Sequence, residues 1–89
     1  MVICKRVHYS GTVQGVGFRY TAQGLAQGFA VAGHVRNLPD GRVELLAEGE
    51  ADQVDGFLAA IAQRMAGYIE DVAITDEAPS GVTGFRIRH

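Results

Sequence analysis

The residue types best suited to chemistry lie in residues 11–19, Gly-Thr-Val-Gln-Gly-Val-Gly-Phe-Arg. Here a strand-like pattern leads into a Gly-x-Gly turn, and a helix-like pattern begins at once. Such a turn can bring successive backbone N–H groups to one point, beside the positive end of a helix dipole. Arg19 adds a planar, permanently charged guanidinium in the first helical turn, where the dipole disfavours a cation. A bound phosphate would explain both features.

The same run has a simpler interpretation, because Gly-x-Gly is a weak pattern on its own. Gly15 and Gly17 would then form only a tight strand-to-helix turn, and Arg19 would be solvated. Two other phosphate-binding motifs are not supported. A dinucleotide fingerprint lacks its third glycine and its parallel βαβ order, and a Walker A loop lacks its Gly-Lys-Ser/Thr.

Asn37 is the second candidate for chemistry. It shares its strand parity with Val31 and Val35, so its amide is expected on the apolar side. An unpartnered polar group there costs roughly 1–3 kcal/mol. One interpretation is an asparagine that caps the following turn. The other is an amide that holds a water molecule and fixes the direction of its lone pair. The residues alone leave both interpretations open.

The elements that must position these residues follow from apolar periodicity. Alternation predicts strands over residues 2–13, 31–38, 43–47, 71–78 and 84–89. Pro39, Asp40 and Gly41 form a turn signal between the second and third strands, which therefore read as a hairpin. Cys4 falls within the first strand and is expected to be a small buried hydrophobe.

Two segments change to helical spacing. The first begins at Phe18. The second opens with residues 49–52 and carries an apolar stripe of Val54, Phe57, Leu58, Ile61 and Met65. Gly67 is a plausible C-cap of the second helix. The order β-α-β-β-α-β, with a further strand beside the last, predicts a ferredoxin-like α+β sandwich: two helices on one face of an antiparallel sheet. Residues 1–89 read as one domain.

Charge and composition limit the partners. A net charge of −2 and a pI of about 5.8 lack the basic balance typical of nucleic-acid binders. No apolar run approaches the roughly 18 residues of a membrane span. The single cysteine permits no internal disulfide and fits a reducing cytoplasm. No obvious apolar patch indicates an oligomer, so a monomer is expected.

Taken together, these residues resemble the acylphosphatase family. Residues 11–19 are similar to its first signature, and Ala26 follows Arg19 by seven residues as in that family. Residues 33–49 resemble the second signature at Gly33, Asn37, Gly41, Val43 and Gly49. Residues 84–88, Gly-Phe-Arg-Ile-Arg, are also similar to the family's closing run. The likeness covers essentially the whole chain.

The resemblance implies hydrolysis of the carboxyl–phosphate bond of acyl phosphates to a carboxylate and inorganic phosphate, with no metal or other cofactor. Arg19 matches the family's phosphate-binding arginine, and Asn37 matches its water-orienting asparagine. The implied phosphate-binding residues are Gln14, Gly15, Val16, Gly17, Phe18 and Arg19. The implied partners are a small-molecule acyl phosphate and inorganic phosphate, the latter as product and inhibitor.

Three positions depart from the family pattern. His34 stands where an aromatic residue is usual, Thr21 replaces a frequent aromatic in the first helix, and Ala30 replaces a common glycine. These changes bear on packing and stability more than on chemistry. His34 has the opposite parity to Asn37, so it is expected on the surface or on a sheet face and not as a catalytic base.

Three other interpretations compete with a hydrolase. The domain could bind an anion without hydrolysing it. It could resemble the acylphosphatase-like domain of hydrogenase-maturation carbamoyltransferases, although 89 residues is short for such a protein. An RNA-recognition module has the same element order, but it would need exposed aromatics on the sheet and a basic balance.

Overall fold

Five strands and two helices follow one another in the predicted order. A computed structural model describes all 89 residues. The elements are β1 (Val2–Gly11), α1 (Phe18–Ala26), β2 (Val31–Asn37), β3 (Val43–Glu50), α2 (Ala51–Arg64), β4 (Ile69–Glu77) and β5 (Phe85–Arg88). Neither helix is long and apolar enough to cross a membrane.

The strands form one sheet in the order β4-β1-β3-β2-β5. β1 pairs antiparallel with β3 and β4, and β2 pairs antiparallel with β3. β5 is different, because it joins β2 in parallel. Residues 78–84, here called the crossing segment, must cross the sheet from the β4 edge to reach the β5 edge. The predicted sandwich is therefore confirmed, with one parallel strand added to its antiparallel sheet.

A single core lies between the helices and one face of the sheet. Val7, Leu45 and Val35 stand beside one another across β1, β3 and β2, and all three are fully buried. α2 contributes Phe57, whose ring lies 6.1 Å from that of Phe29 and 5.2 Å from that of Phe85. Truncating a buried phenylalanine of this kind costs about 3–5 kcal/mol.

Several predicted boundaries are wrong by a few residues. β1 ends at Gly11, where its pairing with β4 is irregular, although Val13 beyond it is fully buried. Gly67 does not cap α2, since that helix ends at Arg64 with Met65 in the C-cap position and Gly67 has no positive φ. β4 begins at Ile69, two residues before the predicted start.

The face of the sheet opposite the helices is polar and is here called the open face. Glu44 lies almost buried on it, with hydrogen bonds to His8 (3.0 Å) and Arg36 (2.8 Å) and an ion pair with Arg6 (3.1 Å). Burial alone would raise the pKa of Glu44, but these partners outweigh it and lower that pKa to about 2. His34 lies on this face, as expected from its parity.

Cys4 and Glu48 lie opposite each other at the other end of the open face. The carboxylate of Glu48 accepts hydrogen bonds from the amides of Ser80 (2.9 Å) and Gly81 (2.8 Å), which fixes the crossing segment to the sheet. Cys4 is buried beside Glu48, as predicted for this thiol. Burial and the nearby Glu48 carboxylate raise the pKa of Cys4 to about 11.

Candidate active site

The glycine-rich loop, residues 14–17, is held at both ends by buried side chains. Val13 is fully buried and Phe18 is nearly so, and the Phe18 ring lies 4.9 Å from that of Tyr9 in the core. Gly15 and Gly17 between them have φ of +77° and +79°, a backbone conformation that side chains disfavour. A Cβ on either glycine would meet no atom within 4 Å, so backbone shape and not lack of space requires glycine here.

This loop leaves a run of main-chain donors free. The amides of residues 14–19 donate no hydrogen bond within the chain, and the first amide of α1 with a backbone partner is that of Thr21, to the Gly17 carbonyl (2.9 Å). Free donors at a helix N-terminus form an arrangement that favours an anion.

Arg19 stands beside these amides without a carboxylate partner. Its guanidinium Nη1 lies 3.3 Å from the carbonyl oxygen of Arg88 and 3.3 Å from Nδ1 of His89. Both contacts are long for hydrogen bonds. They steady the side chain from the C-terminal end of β5 without neutralising its charge, so the positive charge is available to an external anion.

Asn37 is the last residue of β2 and pairs with Val43 across the hairpin. It lies on the same side of the sheet as Val35, as its parity predicted, and it is only partly buried. Its side chain makes no hydrogen bond within the chain. The turn is stabilised by other groups, since Asp40 accepts from the Arg42 amide (3.1 Å) and Gly41 has φ +95°.

A cavity of about 190 Å³, here called the glycine-rich cavity, joins these parts. It is lined by Val13, Gly15, Gly17, Phe18, Arg19, Tyr20 and Asn37. Of the residues named from the sequence, Gln14 and Val16 do not line it. Val13 and Tyr20 do, and sequence reasoning missed them. Tyr20 is 71% exposed at the mouth of the cavity, and its only sequence signal was its position directly after Arg19.

Unlike the nearby Gly15 and Gly17, Gln14 does not line the cavity. Its side-chain Nε2 donates to the carbonyl oxygens of Leu38 (2.8 Å) and Arg42 (2.9 Å), at the two ends of the β2–β3 turn. The glycine-rich loop is thereby tied to the hairpin that carries Asn37. Gln14 thus sets the spacing between the free amides and the Asn37 amide.

Titratable side chains are scarce at the cavity. None of its lining residues is a carboxylate or a histidine, and His89 reaches only Arg19. The chain has no group of three or more His, Cys, Asp or Glu side chains placed to hold a metal ion. The polar groups available to the cavity are therefore amide donors, one guanidinium, one carboxamide and the phenol of Tyr20.

Comparison with known proteins agrees with this architecture. The acylphosphatase family model matches residues 5–87. The chain is 42% identical over 87 residues to the acylphosphatase of Acaryochloris marina, an alignment that spans 97% of this chain and 94% of that protein. The crystal structure of acylphosphatase from Bacillus subtilis matches with a TM-score of 0.88 at 35% identity, over 100% of both chains.

A second solved structure, that of an acylphosphatase from Coxiella burnetii, matches with a TM-score of 0.81 at 29% identity. It covers 98% of this chain and 93% of that one. A family model that spans nearly the whole chain, a full-length relative and two solved structures thus agree. The chain belongs to the acylphosphatase family, and it is a hydrolase.

Proposed function

We propose that residues 1–89 act as one acylphosphatase domain that hydrolyses acyl phosphates to a carboxylate and inorganic phosphate, without a metal ion. The observation that carries this proposal is the run of unpaired amides at residues 14–19 beside a guanidinium that has no carboxylate partner. The amides have no acceptor within the chain, and the guanidinium has only its two long contacts, to Arg88 and His89. A phosphoryl group supplies the acceptor oxygens that they lack.

Arg19 and the loop amides hold the phosphoryl oxygens. In phosphoryl transfer the charge is spread over three equatorial oxygens, so fixed donors around them stabilise the transition state. Gly15 and Gly17 keep the backbone in the positive-φ shape that presents these amides, which is why their glycine identity matters. The Arg88 carbonyl and His89 steady the guanidinium for this role.

Asn37 positions the attacking water. Its carboxamide has no partner in the chain, so it can accept one hydrogen bond from water and donate others. The water forms a new O–P bond in line with the breaking P–O bond to the acyl group, and the carboxylate leaves with the bonding electron pair. Orientation of this kind raises kcat without needing a charged group.

Acid and base assistance are largely unnecessary for this reaction. The leaving group is a carboxylate, a weak base that needs little protonation. No carboxylate or imidazole lines the cavity to take the proton of the attacking water. That proton passes to a phosphate oxygen of the substrate, so the product is a protonated inorganic phosphate. A monomer in a reducing cytoplasm completes the proposal.

The experiment that tests this function is release of inorganic phosphate from acetyl phosphate and benzoyl phosphate, with Arg19→Ala as the control. The proposal expects steady release by the wild type and competitive inhibition by inorganic phosphate, which occupies the same donors. A protein that binds phosphate but releases none from either substrate would be an anion-binding domain and would refute the proposal.

A further inference from the structure

A second cleft lies on the open face, on the opposite side of the sheet from the core. It has a volume of about 360 Å³ and is lined by Gly33, His34, Val82, Thr83, Arg86 and Arg88; we call it the basic cleft. Phe85 and Ile87 pack against the core, so the alternating Arg86 and Arg88 project to the open face. The crossing segment forms its other wall.

The two arginines of the basic cleft have no carboxylate partner. Neither side chain takes part in any ion pair or hydrogen bond of the chain. The nearby carboxylates are already engaged, because Glu44 binds Arg6, His8 and Arg36, and Glu48 binds the amides of the crossing segment. In a chain of net charge −2, two uncompensated arginines therefore share one cleft.

His34 adds a buried polar atom without a partner. Its Nε2 is inaccessible to solvent and makes no hydrogen bond, since the nearest carboxylate oxygen of Glu44 is 3.7 Å away. Burial first, and then the charge of Arg88, lower the pKa of His34, although Glu44 opposes them. Because this atom is buried, it offers no contact to a ligand in the cleft, and the accessible donors there belong to Arg86, Arg88 and Thr83.

We propose that the basic cleft is a second anion site, which binds the phosphate group of a small phosphorylated molecule. Arg86 and Arg88 offer planar donor forks that match phosphate oxygens. The Thr83 hydroxyl supplies a further polar contact along its wall. The site differs from the glycine-rich cavity, with which it shares no lining residue.

The lining chemistry favours a small phosphate over a nucleic acid. Single-stranded nucleic acids are held by bases stacked on aromatic side chains, and the basic cleft has no Phe, Tyr or Trp. Its single apolar lining residue, Val82, also provides little surface for a hydrophobic ligand. A phosphate group needs only what is present, which is positive charge and hydrogen-bond donors.

The probe for this site is inorganic phosphate. Its binding is monitored by ¹⁵N–¹H NMR of the Arg19→Ala protein, in which phosphate binding at the glycine-rich cavity is weakened. We expect saturable shifts of the Gly33, Thr83 and Arg86 amides. Arg86→Gln in the same background should weaken this binding by about tenfold, the usual loss for a charge-assisted hydrogen bond. Arg64→Gln is the matched control, because Arg64 is another arginine without an ion pair, on α2.

Several results would overturn the proposal. One is the absence of a saturable shift at these amides, and another is equal binding by the Arg86→Gln and Arg64→Gln proteins. Response to a single-stranded RNA without response to phosphate would also overturn it. If Arg19→Ala does not fold, the wild type serves, since the two sites report through separate amides. The result does not depend on hydrolysis, so it stands apart from the test of the proposed function.

Discussion

The hydrogen bonds of Gln14 make a specific prediction about how the active site is held together. Gln14→Met keeps nearly the same shape but removes the donor that reaches the carbonyls of Leu38 and Arg42. The β2–β3 turn should survive this change, because the Leu38 amide still donates to Arg42 and the Gly41 amide to Leu38. What is lost is the tie between the turn and the glycine-rich loop.

The expected loss of stability follows from the two hydrogen bonds that Gln14 makes. A hydrogen bond of this kind contributes about 0.5–1.5 kcal/mol net, so the free energy of unfolding should fall by about 1–3 kcal/mol. For a domain of this size, each 1 kcal/mol lowers Tm by about 4–8 °C. Catalysis should suffer more, because misplacing catalytic groups by about 1 Å can reduce the rate by about 10².

The assay pairs urea unfolding with phosphate release from acetyl phosphate. Gln53→Met is the matched control, since Gln53 also makes a side-chain bond to the backbone, accepting from the Ala30 amide (2.9 Å) away from the cavity. We expect both variants to lose stability and only Gln14→Met to lose kcat/KM, by about 10–100-fold. Equal kinetics of the two variants would refute the role given to Gln14.

Three further outcomes are expected. Asn37→Ala should lower kcat at least about 100-fold with little change in KM, because Asn37 acts on water and not on substrate; the reverse pattern in steady-state kinetics would make it a binding residue. Glu44 has a pKa of about 2 when folded, below its usual 4.5, so its stabilisation is complete above pH 4.5 and is lost as pH falls towards 2. Glu44→Gln should therefore flatten the urea-unfolding stability profile in that window, and an unchanged acid limb would contradict this. Treatment with EDTA should leave the rate of phosphate release unchanged, whereas a loss restored by added metal would overturn the metal-free mechanism.

The parts of the fold and site that the sequence predicts are those encoded locally. The change from alternating to helical spacing fixed the start of α1 at Phe18, as observed. The turn signal at Gly41 corresponds to a residue with φ +95°. Strand parity put Asn37 on the side of Val35, and this is why it lies at the same cavity as Arg19.

The parts that were missed depend on contacts between distant segments. The Gln14 side chain donates to the Leu38 carbonyl, 24 positions away. A single polar residue has no periodicity from which such a hydrogen bond could be predicted. The support of Arg19 by Arg88 spans 69 positions and depends on where β5 joins the sheet. The parallel pairing of β5 was missed for the same reason, since only sheet order reveals the crossing segment.

The central claim is that a guanidinium and free amides at one cavity hydrolyse an acyl phosphate, and kcat/KM of Arg19→Ala for acetyl phosphate tests it most directly. Arg64→Ala, at an arginine outside the cavity, is the matched control. The account predicts a loss of at least about 10³-fold for Arg19→Ala, as for other arginines that stabilise phosphoryl transfer, and no more than about twofold for Arg64→Ala. Near-normal turnover by a folded Arg19→Ala protein would contradict the account.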